Sequence, residues 1–265
     1  MTQLKDAVVL LTGATGGFGQ ELSRQLLAAG SRLILTDLDP IQLEQQVNKL
    51  QQKNSAPRNS TGEVFASLVA DLSTIEGCDI LYNQVRSLNL PVDILINNAG
   101  IGMFGRMDEV PSEAWERLMQ VNLLAPMRLS QLFVAEMIAR RSGHIVNISS
   151  VAGWVGKAGL AHYSSSKFGL RGFSEGLFAE VKSYNVKVTA VYPFFSRTPI
   201  LQSKHYGTLA ETVRKLPDRL ISDPAVVMAR TIRGIERNQL HVFPDRIAAT
   251  IHLLKRFAPW LLEIL

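Results

Sequence analysis

Three side chains between residues 150 and 167 are of the types that move a proton to or from an alcohol. Tyr163 and Lys167 are four residues apart, and Ser150 lies thirteen residues before the tyrosine. The four-residue separation places the tyrosine and the lysine on one face of a helix. A free phenol has a pKa of about 10, and a neighbouring ammonium lowers that pKa by stabilising the phenolate. The pair is therefore predicted to act as a general acid or base on an alcohol or ketone, although the spacing alone also fits a surface tyrosine beside a lysine stem.

A glycine-rich turn lies near the N-terminus, between a predicted strand and a predicted helix. Residues 7–12 are apolar and β-branched, as in a buried strand, and a helical pattern of leucines follows Gly19. Such a turn lets the backbone approach a pyrophosphate, and the helix N-terminus supplies free N–H groups. A second predicted strand, 32–36, ends at Asp37, which lies 18 residues after Gly19. A carboxylate at that place can accept hydrogen bonds from the ribose hydroxyls of a dinucleotide.

Together these segments resemble the short-chain dehydrogenase/reductase family, and the resemblance covers the chain from Val8 to about Pro199. The motifs that carry it are the glycine turn Thr12–Gly19, the acidic Asp71-Leu72, the run Asn97-Asn-Ala-Gly100, Asn122 within Val-Asn-Leu, and the set Ser150, Tyr163 and Lys167. Some features also resemble the branch of retinol and 17β-hydroxysteroid dehydrogenases. The resemblance implies a nicotinamide-dependent oxidoreductase.

The resemblance also implies a role for each catalytic residue. Tyr163 exchanges a proton with the substrate oxygen, and Ser150 holds that oxygen. Lys167 lowers the pKa of the tyrosine and binds the nicotinamide ribose, while Asn122 holds a water molecule beside the lysine. The serine that precedes Ser150 is the alternative for the second role. Asn122 could instead cap or kink the long helix that Pro126 interrupts.

The cofactor contacts implied by the family pattern are spread over the chain. They are Gly13, Thr15, Gly17, Phe18, Gly19, Asp37, Asp71, Leu72, Asn98, Ala99, Gly100, Tyr163, Lys167, Pro193, Phe194 and Thr198. The sign of the charge at Asp37 favours NAD(H), because a carboxylate repels a 2′-phosphate and accepts a hydrogen bond from a free hydroxyl. Neither the glycine turn nor Leu38 supplies a cation for a phosphate. NADP(H) stays open.

The sequence departs from the family where the substrate is expected to bind. The family usually has Pro-Gly after the sixth strand, whereas this chain has Pro193-Phe194, which leaves the local backbone geometry open. The predicted pocket residues are Ser150, Trp154, Leu160, Tyr163, Phe194 and Phe195. With a lid over about 194–222, these side chains predict a small apolar alcohol, ketone or aldehyde as substrate. Two alternatives remain: a 3-oxoacyl-thioester (acyl carrier) reductase, and a non-catalytic dinucleotide-binding protein, which the intact catalytic set disfavours.

Length and patterning indicate one α/β domain. Strand-like runs alternate with helical patterns over 265 residues, as in a doubly wound, Rossmann-type parallel sheet of about seven strands with helices on both faces. The single Cys78 excludes an internal disulfide and a cysteine-rich metal site, and the five histidines show no ligand spacing. No metal is predicted. Residues 53–62 are expected to form a surface loop.

The basic charge is concentrated near the C-terminus. From residue 197 onward there are 11 basic and 6 acidic residues, whereas the earlier part is neutral. The tail, about 246–265, is apolar and is predicted to be helical, with Trp260 partly buried. It packs on the domain, on a second subunit or over the pocket, or it contacts an anionic membrane peripherally. The excess is too modest for a nucleic-acid partner. We expect a homodimer or homotetramer. Because no signal peptide is present, we expect the protein to be cytoplasmic.

Overall fold

Strands and helices alternate along the chain in the computed structural model, which describes residues 1–54, 62–209 and 217–262. The strands are β1 (Val8–Thr12), β2 (Arg32–Asp37), β3 (Glu63–Val69), β4 (Ile94–Asn97), β5 (Met103–Gly105), β6 (Gly143–Ile148), β7 (Val186–Val191), β8 (Lys204–Tyr206) and β9 (His241–Val242). The helices are α1 (Gly17–Ala28), α2 (Pro40–Asn54), α3 (Ile75–Ser87), α4 (Ser112–Met119), α5 (Ala125–Ala139), α6 (Ala161–Val181), α7 (Pro224–Glu236) and α8 (Arg246–Phe257).

Seven of the strands form one parallel sheet in the order β3-β2-β1-β4-β6-β7-β9. The strand order reverses beside β1, because β2 and β3 lie on one side of it and the later strands lie on the other. At such a switch point the loops that leave two neighbouring strands diverge and open a crevice. The glycine turn follows β1 and the Asn-Asn-Ala-Gly run ends β4, so both motifs border this crevice. The predicted doubly wound parallel sheet is confirmed.

Helices cover both faces of the sheet because its central strands are apolar on both sides. Val9 and Leu11 of β1 pack in the core with α1, α2 and α7. Val8 and Leu10 of the same strand pack with α3, α5 and α6. Cys78 is fully buried in α3.

The sequence predicts the strands of the main sheet to within one residue at each end and misses a second, smaller sheet. The predicted ranges are 7–12, 32–36, 64–70, 93–96, 143–148, 186–192 and 240–243. In the second sheet β5 pairs with β8 in parallel. Each of its strands has three residues, which is too short for an alternation of apolar and polar side chains to be recognised.

The interruption of the long helix lies earlier than predicted. A π-helical turn, Gln120–Leu124, joins α4 to α5 and contains Asn122. Pro126 directly follows the π-turn inside a continuous helix, where its missing N–H leaves a carbonyl of the preceding turn without a helical donor. The distortion at the π-turn, of the kind that is frequent at functional sites, therefore lies next to the predicted proline.

The C-terminal segment consists of α8 and a 3₁₀ turn, Pro259–Leu262. Ala248 on the inner side of α8 is fully buried, whereas Lys255 and Arg256 are exposed. Trp260 is 60 % exposed in the single chain, so the tail does not bury it on the domain, and its burial at a subunit interface stays a prediction. The reason is local: the helix ends at Phe257 and Pro259 cannot continue it, so Trp260 leaves the inner face. Residues 55–61 of the predicted loop, 210–216 of the predicted lid and 263–265 of the tail lie outside the described residues.

Candidate active site

The turn between β1 and α1 has the geometry to receive an anion. Gly13 has a φ of +65°, which side chains rarely adopt. No side chain caps the N-terminus of α1, so the N–H groups of its first turn face the turn and are available to a phosphate. A Cβ on Gly17 would meet the side chain of Thr198, and only glycine therefore leaves this cradle open. Gly19 lies two residues after Gly17 and packs against the main chain of residues 13 and 14.

Asp37 lies beside this turn at the end of β2, and Thr15 holds its carboxylate. Its Oδ2 accepts hydrogen bonds from the N–H and the Oγ1 of Thr15, both at 2.8 Å. Its Oδ1 accepts the N–H of Leu38 at 2.8 Å. A carboxylate has about four lone-pair sites, so one remains for a ribose hydroxyl. Phe18, in contrast, packs half-buried against the core behind the turn.

Thr12 ties the end of β4 to the end of β1. Its Oγ1 accepts the N–H groups of Asn98 and Ala99, both at 3.0 Å. The Nδ2 of Asn98 donates to the carbonyl oxygen of Thr12 at 3.0 Å. One position earlier, Asn97 donates to Asn147 at 2.8 Å and so joins β4 to β6. These bonds fix the floor of the crevice at the switch point.

Asp71 and Leu72 follow β3, next to Asp37 along the same edge of the sheet. The N–H of Ser73 donates to Asp71 at 2.9 Å. Hydrogen bonds from the side chain and the backbone of Ser73 hold the pKa of Asp71 below its ordinary value. Leu72 is buried. The structure thus presents an ionised acid and an apolar contact at two of the predicted cofactor contacts.

Ser150 and Tyr163 meet just beyond the carboxyl end of β6. The Ser150 side chain acts on the Tyr163 hydroxyl as a polar partner that lowers its pKa. The Oγ of Ser150 also accepts the N–H of Ala152 at 3.1 Å and so caps a short 3₁₀ turn. The alternative, Ser149, is buried and donates to a main-chain carbonyl of α6 at 3.0 Å. The geometry therefore selects Ser150 as the partner of the tyrosine.

The pKa of Tyr163 is raised, whereas the sequence predicts that it is lowered. Burial raises it to about 12, and the hydrogen bond with Ser150 opposes this effect only in part. Lys167 does not offset the burial, because its Nζ donates to the carbonyl of Ile148 at 3.0 Å and lies 5.7 Å from the centre of the Tyr163 ring. A neutral phenol is the form that donates a proton to a carbonyl oxygen.

Lys167 is buried, and burial lowers its pKa to about 8. The ammonium is therefore still the main form at neutral pH. An ammonium has three N–H donors, and the bond to Ile148 uses one of them. The other two are available to a ribose hydroxyl or to a water molecule, as the sequence predicts.

The π-turn places Asn122 close to this lysine. Its Oδ1 accepts the N–H of Ile101 at 2.8 Å, and its Nδ2 donates to the carbonyl of the same residue at 2.9 Å. Gly100 lies between the two side chains, because a Cβ there would be 3.4 Å from Asn122 Oδ1 and 3.6 Å from Lys167 Nζ. Asn122 thus lies in a distorted helical turn and beside the lysine, and its role of holding a water molecule stays a prediction.

Pro193 and Phe194 leave β7 beside the catalytic serine. The carbonyl of Pro193 accepts the N–H of Val151, which follows Ser150, at 3.1 Å. Phe194, which replaces the usual glycine, is not among the residues with a positive φ, so the substitution introduces no backbone strain. Further along, Thr198 packs against the glycine turn through its contact with Gly17.

Aromatic and apolar side chains border the catalytic pair. The rings of Phe194 and Phe195 are 4.8 Å apart and pack edge to face. Tyr163 packs against a separate apolar cluster that includes Met103 and Tyr206. The sequence missed this cluster because the small sheet of β5 and β8 brings its members together. Leu160, half-buried, directly precedes α6.

Trp154 points into a different aromatic cluster. Its ring centre lies 5.6 Å from Tyr192, 5.6 Å from Phe243 and 4.5 Å from His252. The guanidinium of Arg171 lies 3.3 Å from its ring centre. The ring contacts of the described residues join Trp154 to this cluster and not to Phe194 or Phe195, and its place in the substrate pocket stays a prediction.

The residues at the crevice fit a nicotinamide dinucleotide. The glycine cradle and the open N-terminus of α1 suit the pyrophosphate, and Asp37 suits the adenosine ribose. Lys167 offers two N–H donors to the second ribose. Within the parts of the chain that the structure describes, no group of three or more His, Cys, Asp and Glu side chains is arranged to hold a metal ion.

Comparisons with known proteins agree with this arrangement. A sequence profile of the family described as short chain dehydrogenase matches residues 7–207. Acetoacetyl-CoA reductase from Acinetobacter sp. (strain RA3849) is 29 % identical over 91 % of this chain and 95 % of its own. Epidermal retinol dehydrogenase 2 from Mus musculus is 32 % identical over 95 % of this chain and 78 % of its own. The solved short-chain dehydrogenase from Sphingobium yanoikuyae in complex with NADPH has 25 % identity and a TM-score of 0.79, with 98 % of this chain and 96 % of that chain covered.

Proposed function

Because the chain belongs to the short-chain dehydrogenase/reductase family and is an NAD(P)-dependent oxidoreductase, we propose that it acts on the C–OH or C=O group of an apolar alcohol, ketone or aldehyde. The observation that carries this proposal is the pair of Ser150 and a neutral Tyr163 beside the crevice, with Lys167 buried one turn further along α6. Two O–H donors that converge on one point suit an oxygen atom that gains or loses charge during the reaction.

The residues act on the substrate oxygen in a defined order. A bound nicotinamide supplies or accepts the hydride. Ser150 donates a hydrogen bond to the substrate oxygen and holds it beside Tyr163. In the direction of reduction, Tyr163 gives its proton to that oxygen. Lys167 keeps its charge at neutral pH and stabilises the phenolate that results. Asn122 is the residue we propose to hold a water molecule that returns the proton.

The apolar character of the substrate is supported by the aromatic pair Phe194 and Phe195 and by the cluster around Tyr163. A specific observation also favours the second candidate, a 3-oxoacyl-thioester reductase: one relative is an acetoacetyl-CoA reductase. The basic C-terminal part of the chain would suit an acidic acyl carrier. Both candidates share the catalytic residues and differ only in what lies beyond the carbonyl group.

A substrate panel tests the proposal and separates it from the alternatives. The oxidation of NADH and NADPH is followed by absorbance with a retinoid, a steroid ketone, a long-chain aldehyde and acetoacetyl thioesters of coenzyme A and of acyl carrier protein. We expect the highest kcat/KM with one of the first three. A preference for a thioester would replace the first candidate by the second. Cofactor binding without turnover of any substrate, in either direction, would leave only a non-catalytic role.

Asp37 supports a preference for NAD(H) over NADP(H). Its carboxylate is fixed beside the glycine turn by Thr15, and a 2′-phosphate there would meet a negative charge. We therefore propose NAD(H) as the preferred cofactor.

We propose that the protein is a homodimer or homotetramer and that it works in the cytoplasm. Apolar side chains support an interface between copies: Leu124 and Met127 are exposed at the start of α5, and Phe168 is exposed on α6. The two helices are neighbours in the fold. Light scattering after size-exclusion chromatography measures the number of copies.

We also propose that the C-terminal segment contacts an anionic membrane surface. In the described residues no helix is both long and apolar enough to cross a bilayer, so the contact would be peripheral. Leu253, Phe257 and Trp260 are 54, 72 and 60 % exposed, and their spacing places the first two on one side of α8. Lys255 and Arg256 are exposed among them. An exposed apolar stripe flanked by cations is typical of a helix that lies in the interface of a membrane.

A triple variant tests this contact. Leu253→Ser, Phe257→Ser and Trp260→Ser together remove the apolar stripe and keep the cations. We expect the wild type to co-sediment with vesicles that contain phosphatidylserine, and we expect the variant to lose roughly 10-fold or more in binding for each of the three side chains, since about 2 kcal/mol follows from each large apolar side chain buried. Matched vesicles of phosphatidylcholine alone are the control. If the variant changes the number of copies and not the vesicle binding, the stripe is a subunit interface instead.

A further inference from the structure

The buried carboxylate of Asp245 connects the C-terminal helix to the active site. Asp245 lies beyond residues 7–207, the part of the chain that the family profile matches. It is 6 % exposed and directly precedes α8. Its Oδ1 accepts the N–H of Ala248 at 2.8 Å and so caps the helix, while its Oδ2 accepts the N–H of Phe194 at 2.9 Å.

The second of these bonds leads to the catalytic serine through the main chain. Phe194 follows Pro193, whose carbonyl accepts the N–H of Val151 at 3.1 Å. Val151 is the residue after Ser150. On the other side of Ser150, the N–H of Ser149 donates to the carbonyl of Val191, the last residue of β7, at 2.8 Å. A displacement of Phe194 would therefore pass to the segment that carries Ser150, over two peptide units and one hydrogen bond.

The helix has a second contact with the same region. His252 stacks on Phe243 with 4.2 Å between ring centres and meets Trp154 edge to face at 4.5 Å. Trp154 ends the 3₁₀ turn that Ser150 caps. The C-terminal helix thus contacts two segments near the catalytic serine. At the N-terminus of the helix Asp245 binds Phe194, and two turns later His252 packs against Trp154.

We propose that Asp245 is a positioning residue that clamps the Pro193-Phe194 segment to the N-terminus of α8 and thereby holds Ser150 and the nicotinamide side of the crevice in place. The positive end of the helix dipole stabilises the carboxylate, and two backbone N–H donors fix its orientation. The inference rests on the proposed function only for its kinetic readout.

Asp245→Ser separates the clamp from the helix cap. A serine is about as good an N-cap as an aspartate, so the bond to Ala248 survives, but a hydroxyl has no second oxygen for Phe194. Asp223 provides the matched control, since it caps α7 through a bond to Ala225 at 2.8 Å and is exposed. Asp223→Ser makes the same chemical change at a helix that lacks the clamp.

Three measurements distinguish a positioning role from a general loss of stability. We expect Asp245→Ser to lower kcat by roughly 10- to 100-fold, because a shift of about 1 Å in a catalytic group has such an effect. We expect Kd for NADH to rise about fivefold, and the amide hydrogen of Phe194 to exchange faster in a peptide that covers 192–198. Asp223→Ser should stay within about twofold of the wild type in all three.

The outcomes are decisive in each direction. Wild-type kcat, NADH affinity and amide exchange in Asp245→Ser would overturn the proposal, and so would equal losses in Asp223→Ser. If Asp245→Ser does not fold, Asp245→Asn is measured instead. Asparagine keeps the shape of aspartate but has only one oxygen, so its amide NH2 must face one of the two backbone N–H donors and cannot accept a hydrogen bond from it. If the wild type turns over no carbonyl substrate, the proposed function fails, while NADH affinity and amide exchange still test the clamp.

Discussion

Replacing Tyr163 with phenylalanine is expected to lower kcat by roughly 1,000-fold or more, within the range of about 10²–10⁴ that general acid–base catalysis contributes. The Tyr163 hydroxyl supplies the proton, because burial raises its pKa and keeps the phenol neutral. Ser150 remains in the variant and still donates a hydrogen bond to the substrate oxygen, but it cannot replace the lost proton. Steady-state kinetics with the best substrate of the panel measures the loss.

Cofactor binding should be almost unaffected by the same change. Phenylalanine keeps the ring and its packing against the cluster of Met103 and Tyr206, so Kd for NADH is expected to stay within about threefold of the wild-type value, the effect of one hydrogen bond at most. Tyr82→Phe, which removes a hydroxyl on α3 at 3.3 Å from Glu136, is the matched control. Retention of more than a few per cent of kcat in Tyr163→Phe would exclude Tyr163 as the acid.

Most of the site could be predicted because its residues follow the strands. Buried parallel strands are continuous apolar runs, and the sequence shows these runs clearly. Once the strands are ordered, Gly13, Asp37, Asn98 and Ser150 all fall at the carboxyl edge of the sheet, since each follows a different strand. The convergence of motifs that are distant in sequence is thus a consequence of a parallel sheet, and no side-chain detail is needed to foresee it.

The sign of the pKa shift at Tyr163 could not be predicted from spacing. A four-residue separation places Lys167 on the same face of α6, but it does not determine which acceptor the ammonium chooses. In the fold that acceptor is the carbonyl of Ile148, and burial then dominates the phenol. Burial depends on side chains from several elements, so the balance between burial and charge is a property of the tertiary structure.

Contacts between distant elements were equally beyond the sequence. The bond between Asp245 and Phe194 joins residues 51 positions apart, and the ring of Trp154 turns toward α8. Neither this hydrogen bond nor the orientation of the Trp154 ring can be predicted from a local periodicity of the sequence. Both follow from where α8 packs, which depends on the whole sheet edge at β9. The role of the C-terminal helix was therefore visible only in three dimensions.

The second large effect expected concerns the cofactor. Exchanging Asp37 for asparagine together with Leu38→Arg should change the ratio of kcat/KM for NADH to that for NADPH by roughly 100-fold or more. The exchange removes the charge-assisted hydrogen bonds between Asp37 and the ribose, which are worth about 1.5–3 kcal/mol each. It also removes the repulsion between the carboxylate and a 2′-phosphate. Asparagine keeps one oxygen for Thr15, so the turn that Asp37 fixes at 2.8 Å is preserved in part. The arginine supplies the cation that a 2′-phosphate requires.

Asp39 gives the control that separates a specific contact from a general effect of charge. It lies two residues after Asp37, is exposed, and accepts the N–H groups of Ile41 and Gln42 at 2.9 and 3.1 Å at the start of α2. Asp39→Asn removes the same charge two residues further along the chain. Salt screens the interaction between exposed charges over a distance of about 10 Å at ordinary ionic strength. The effect of Asp39→Asn on the cofactor ratio is therefore expected to stay below about threefold. A wild type that already prefers NADPH, or a shift in Asp39→Asn as large as in the Asp37 variant, would show that the carboxylate of Asp37 does not select the cofactor.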